Sequence, residues 1–231
     1  MGEINEAFAI ALRLIVGLNR ELLQIIGLSL RVSLIATLLA VILGTPLGLV
    51  LTIVRFPGRR LVLILANALL GLPSVVVGLL VYLVFSRSGP LGHLGLLFTP
   101  NAMIIAQLML TLPIVVVLVH RLTEGPWKAY GDSLIVHGAS RPIAGLAVLY
   151  MSRSGLVTAA LTAFGRAIAE VGAIIVVGGN IRGHTRTMTT AIALETSKGD
   201  LALALALGLV LLALTLAVSA ATFALAEPDD R

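Results

Sequence analysis

The sequence has no cysteine, which removes a disulfide frame, a thiol nucleophile and any cysteine-built metal site. Histidine is sparse: His93, His120, His137 and His184 stand far apart and form neither an HExxH nor a His-x3-His pair, so no metal centre is expected. Charge is the larger deficit. Only 12% of the 231 residues are charged, about half the share of an ordinary soluble domain, while 58% are apolar. Sixteen Lys and Arg with eleven Asp and Glu cannot give a soluble fold of this length its polar shell. The composition points instead to a one-domain membrane protein with five or six spans. Also missing are a GxxxxGK loop ending in Ser or Thr, GxSxG and GxGxxG, so neither ATP hydrolysis at a Walker site nor serine or dinucleotide chemistry is expected. The net charge of +5 brings no aromatic-and-basic patch that could stack bases, so nucleic acid is not an expected partner. The basic residues fill short gaps between apolar runs and read as topology signals.

The apolar runs give an all-α membrane protein with five core transmembrane helices, spans at about 32–54, 61–85, 101–119, 155–178 and 201–226, within a domain of 28–226. Residues 1–27 form an N-terminal amphipathic segment, with Phe8, Leu12, Ile15 and Leu18 near helical spacing, expected as an extra interfacial helix. Residues 227–231 are a charged tail. The first span holds Gly44 and Gly48 around Pro46, a GxxxG pair that either allows close helix contact or reflects the general frequency of glycine in membrane helices. Leu72-Pro73-Ser74 interrupts the second span, so a kink or break belongs there, and Ser74 is a candidate lining of a polar path or a packing residue. Arg55, Arg59 and Arg60 share one side with the polar stretch 120–154, assigned as cytoplasmic by its basic excess.

Two features carry chemistry. Arg166 and Glu170 are the charges inside a span, four residues apart and so on one helix face, either as a gate on a substrate path or as a structural pair between helices. A charge-swapped double variant is expected to restore assembly if the pair is structural. The other feature runs from Asp132 to Tyr150: a helical run, Gly138 where the chain can turn sharply, Ala139, Ser140 and Arg141, then a second run through Ile143 to Leu149. Two short surface helices would make a projecting elbow.

This elbow, the coupling segment 132–150, resembles the cytoplasmic coupling motif of type I, binding-protein-dependent ABC importer permeases. Their pattern is Glu-Ala-Ala, three residues, Gly, then a downstream Leu-Pro. Asp132-Ser133-Leu134 replaces the first part, Gly138 matches, and Leu149-Tyr150 replaces Leu-Pro. Arg166-Ala167-Ile168-Ala169-Glu170-Val171-Gly172-Ala173 is similar to a stretch of the oxyanion permeases for molybdate, sulfate and tungstate, as are Val177 to Gly183 and Leu72 to Leu79. Phe56-Pro57-Gly58-Arg59-Arg60 and Glu195-Thr196-Ser197-Lys198-Gly199-Asp200 look most like the tungstate branch. The resemblance implies a multi-pass protein of the cell membrane, working as a second copy of itself paired with the first. Its partners would be cytoplasmic ABC ATPase subunits that hold ATP and Mg, and an extracytoplasmic oxyanion-binding protein. The chain itself would carry no cofactor and would not be an enzyme. Asp132, Gly138, Ala139, Ser140 and Arg141 would couple to the ATPase. Ser74, Arg166, Glu170, Asn180 and Arg182, with Thr185 and Arg186, are candidates for the translocation path or gate; Arg182 and Arg186 could equally meet the binding protein or water. Tungstate is the expected cargo, with molybdate or sulfate as the alternative and a secondary transporter or channel as the rival class.

Overall fold

A computed structural model describes residues 2–226, with side chains described for 7–224; the tail at 227–231 lies outside them. The described residues form helices α1 (Gly2–Val16), α2 (Arg20–Ile53), α3 (Arg59–Leu69), α4 (Ser74–Phe85), α5 (Pro100–Val136), α6 (Arg141–Met151), α7 (Arg153–Ile168), α8 (Gly172–Gly178), α9 (Met188–Lys198) and α10 (Leu201–Ala226), with a 3-10 turn at Gly92–Leu94. No strand occurs among them. Helices α2, α5 and α10 are each long and apolar enough to cross a membrane.

The centre is the α2–α5 pair, the most extensive helix contact among the described residues. Its partners are Ser33 with Gln107, Gly44 with Val115, Gly48 with Val119 and Thr52 with Thr123, so the two helices run parallel. Parallel neighbours need a return crossing between them, and α3 with α4 supplies it. The run 61–85 is not one helix: α3 and α4 meet at 102° across a break before Ser74. Pro73 is the cause, since it has no N–H for the ladder and its ring clashes with the preceding turn. Pro46, by contrast, is carried inside an unbroken α2. The GxxxG pair is a contact surface. A Cβ on Gly44 would sit 2.9 Å from the Val115 side chain, and one on Gly48 2.6 Å from the Val116 carbonyl.

Three boundaries differ from the sequence reading; the third span, expected at 101–119, continues as one helix to Val136. Residue 27 falls inside α2, which starts at Arg20, capped by the Asn19 side chain on the Glu21 and Leu22 amides at 2.9 and 3.2 Å. Helix α1 packs on α10 with Ala11 fully buried, in a cluster with Leu22, Ile25, Met188 and Leu207. The run 155–178 is likewise split into α7 and α8, with 169–171 between them.

Helix α7 runs antiparallel to α5, with Ser152 bonding the Leu122 carbonyl at one end and Gln107 bonding the Ala167 carbonyl at the other. The bundle therefore has two distinct ends. One gathers the C-termini of α2 and α5, α6 and the start of α7. The other gathers the starts of α2, α5 and α10, the α7–α8 break and the 179–187 loop.

Candidate functional site

At the first end, the elbow is built by a helix stop. Its first arm is not a separate short helix; it is the last turn of α5, a helix of 37 residues. Gly138 has φ +94°, and its amide bonds the Ile135 carbonyl at 3.0 Å while the Ala139 amide bonds Leu134 at 3.0 Å. This 6→1 and 5→2 pairing is a Schellman stop, and its left-handed residue favours glycine because a Cβ would strain it. Ser140 then caps α6 in an extended conformation, and Pro142 sits in the first turn, where its missing N–H costs nothing. Helix α6 buries Ala144, Gly145 and Val148 against α2 and α5. Its other face exposes Ile143, Leu146 and Tyr150, the last at 69%. Asp132, Gly138, Ser140 and Arg141 are all exposed around this apolar ridge, with Ala139 half-buried. Beneath it, Thr52 bonds both His120 Nδ1 at 2.9 Å and Thr123 at 2.8 Å, locking α2 to α5 behind the elbow.

At the other end, Arg166 and Glu170 do pair, but not along one helix face. Helix α7 stops at Ile168, and the Glu170 carboxylate turns back from beyond the stop to meet Arg166. The pair is lopsided: the Glu170 side chain is 3% exposed and that of Arg166 39%. Glu170 Oε1 also accepts the Ala173 amide at 3.1 Å, so it closes the start of α8. The freed backbone of the break is satisfied by neighbours, as burial demands. Gln107 Nε2 donates to the Ala167 carbonyl at 2.9 Å, and Thr189 Oγ1 donates to the Glu170 carbonyl at 2.7 Å. Ser74 stands against the break; a Cβ on Gly172 would lie 2.6 Å from its Oγ. Helices α4 and α8, each beginning at a break, thus touch at their starts.

The remaining candidates form a second group. Asn180, in the left-handed region at φ +51°, donates from Nδ2 to the Thr190 carbonyl at 3.2 Å. Thr185 accepts from the Ile181 amide at 3.0 Å and donates to the Gly178 carbonyl at 2.5 Å, holding the loop shut. Arg182 grips the Glu21 carboxylate with two donors, Nε at 2.7 Å and Nη2, which raises its already high pKa. Arg186 lies 3.2 Å from Glu195 and 3.8 Å from Glu21, and Lys198 lies 3.2 Å from Glu195. The structure therefore unites Ser74, Arg166 and Glu170, and separately places Arg182 and Arg186 on α2.

Sequence reasoning missed Gln107, Ser29 and Glu21 as parts of these sites. Ser29 Oγ accepts the Met188 amide at 2.8 Å, tying α2 to the start of α9. A signal existed for Gln107, an amide in the interior of an apolar run, since a polar group there needs a partner. No signal pointed to Glu21, whose partner is 161 residues away.

No protein-family model matches the chain. Among known proteins it is 40% identical over 227 residues to the tungstate uptake system permease protein TupB of Peptoclostridium acidaminophilum, covering 98% of this chain and 100% of that one. It is 44% identical over 185 residues to the "Probable anion ABC transporter permease protein" of Haloferax volcanii, covering 78% and 80% of the two chains. It is 38% identical over 199 residues to TupB of Campylobacter jejuni, covering 86% and 83%. With its all-α bundle, its membrane-length apolar helices and this identity over nearly the whole length, the chain belongs to the family of membrane permease subunits of ABC anion uptake systems, the family of the tungstate uptake permeases.

Proposed function

We propose that the chain is the permease subunit of an ATP-driven tungstate importer, acting as a homodimer with two cytoplasmic ATPase subunits and an extracytoplasmic oxyanion-binding protein. The observation that carries this reading is the Gly138 elbow at one end of a bundle that shares 40% identity with a tungstate permease over 98% of its length. ATP and Mg belong to the partner ATPase, which supplies the chemistry this chain lacks. The exposed ridge of Ile143, Leu146 and Tyr150 is the docking face, with Asp132 and Arg141 as its polar rim. Closure of the ATPases displaces α6. Because α6 is packed on α2 and α5, and these are pinned by Thr52, His120 and Thr123, both long helices move as one body. The far end yields where helix continuity is already broken, at 169–171 and before Ser74. ATP can drive this only because the docked ATPase binds the two arrangements unequally.

The test is reconstitution. The permease, its ATPase and its binding protein in liposomes are expected to take up tungstate only with ATP, with molybdate and sulfate as competitors. Uptake by the permease alone, down an ion gradient, would instead establish a secondary transporter.

A further inference from the structure

The end opposite the elbow holds a cavity of about 620 Å³ between the first three turns of α2 and the 182–186 loop. Four arginines line it, Arg20, Arg31, Arg182 and Arg186, against one carboxylate, Glu21. On α2 the lining residues Arg20, Gln24, Gly27 and Arg31 recur at three- and four-residue steps, so they form one stripe down a single face. Three turns separate Arg20 from Arg31, about 16 Å along the helix. The groove is open at its floor: a Cβ on Gly27 would meet nothing within 4 Å, and neither would one on Gly183.

We propose that this cavity receives the oxyanion as it enters the permease, and that Glu21 holds Arg182 and Arg186 in the anion's place until the anion displaces it. The inference rests on the tungstate-importer reading above. Four guanidinium groups around one cavity repel each other unless an anion sits among them. Glu195, 3.2 Å from Arg186, answers one of them from behind the lining, and within the cavity Glu21 supplies a single negative charge, with two oxygens facing the Arg182 fork, the arrangement in which a tetrahedral oxyanion presents an edge to arginine. A dianion brings twice that charge. Arg186 has donor capacity to spare: its side chain is only 10% exposed, yet its buried Nε has no acceptor among the described residues. The Arg182 side of its contact with Glu21 is 72% exposed, so solvent offsets much of the loss when the pair is broken. Further along α2, Arg31 makes no ion pair among the described residues and is free to take the anion next. The cavity thus offers one position on Arg182 and Arg186 and a second on Arg31.

The test is equilibrium binding of radiolabelled tungstate to the permease–ATPase complex in nanodiscs, without the binding protein. Glu21→Gln is expected to tighten binding by about tenfold, and Gly27→Leu, which fills the floor, to weaken it by at least about tenfold. Arg31→Gln, an exposed position, is expected to weaken it by about fivefold and guards against misfolding of the glycine variant. Unchanged binding in all three overturns the proposal. So does an unchanged tungstate affinity in Glu21→Gln together with weakened capture of the binding protein, which would make the cavity a docking surface. Absence of tungstate uptake by the intact wild-type system overturns the importer reading and this inference with it. Uptake by the wild type with unaltered binding in the variants overturns this inference alone.

Discussion

The two ends of the bundle solve different problems with different chemistry. At the elbow end an exposed apolar ridge, Ile143, Leu146 and Tyr150, stands inside a polar rim that includes Asp132 and Arg141, presented by a short helix whose entry is fixed by one left-handed glycine. At the opposite end the residues are ionic, and they satisfy each other: Glu21 with Arg182 and Arg186, Glu195 with Arg186 and Lys198, Glu170 with Arg166. An apolar ridge is a standing invitation to another protein, because its burial is favourable and unspecific in charge. A set of exchangeable ion pairs is suited to a small charged cargo, because each pair can be traded for another at little cost. Rigid helices connect the ends, and between them Gly44 and Gly48 let α2 touch α5.

The comparison breaks most completely at Gly138. Gly138→Val puts a β-branched residue at φ +94°, a strain of about 1–2 kcal/mol at least, although no neighbour crowds the Cβ. Reconstituted complexes with this variant are expected to lose ATP-driven uptake by more than about tenfold while still binding tungstate at the far end. Loss of both would show that the ends are not separable.

The second effect lies at the α7–α8 break. Glu170→Ala leaves the half-buried Arg166 unpaired and the Ala173 amide without its acceptor, and is expected to cost about 3 kcal/mol, read as a lower unfolding temperature in detergent. The swap of Arg166→Glu with Glu170→Arg is not expected to restore stability, even for a purely structural pair. Arginine carries no acceptor, so it cannot close the start of α8. Full rescue by the swap would mean that the pair acts by charge alone.

Gly48→Ala probes the connection between the ends. Its new methyl would press on the Val116 carbonyl at 2.6 Å, and a loss of about 1–3 kcal/mol is expected. Gly125→Ala, in the partner helix α5 but with open space around it, is the control; it should stabilise by up to about 1 kcal/mol. The smallest stability effect is expected for Tyr150→Ala. Exposed at 69% and packed under Arg153 at 4.9 Å, Tyr150 contributes about 0.5 kcal/mol to the fold. Co-purification of the ATPase should nevertheless fall several-fold, which separates docking from stability.

The elements of this fold were legible where one local rule dominates. Long uncharged runs announced α2, α5 and α10, Pro73 announced the break before α4, and Gly138 announced the turn into α6. The break after Ile168 was not legible, because 155–178 contains no proline and its two charges, Arg166 and Glu170, fit one helix face of a single span. Gln107 and Thr189 come from elsewhere in the chain to satisfy the freed backbone, joined by the Glu170 carboxylate of the break itself. The same holds for Arg182. Its guanidinium could be read as path, docking or solvent-facing, and only the approach of Glu21 gives it a partner.

Sequence alone settled what depends on local chemistry: the solvent in which the chain folds, the absence of an ATP-hydrolysing motif, and the glycine that ends α5. Tertiary structure decided what depends on residues far apart in the chain. It set the parallel packing of α2 on α5, the rupture between α7 and α8, and the gathering of four arginines and one glutamate around one cavity. The physical reason is range. Hydropathy and backbone strain act within a few residues, whereas charge and hydrogen bonding choose partners by proximity, and proximity is a product of the fold.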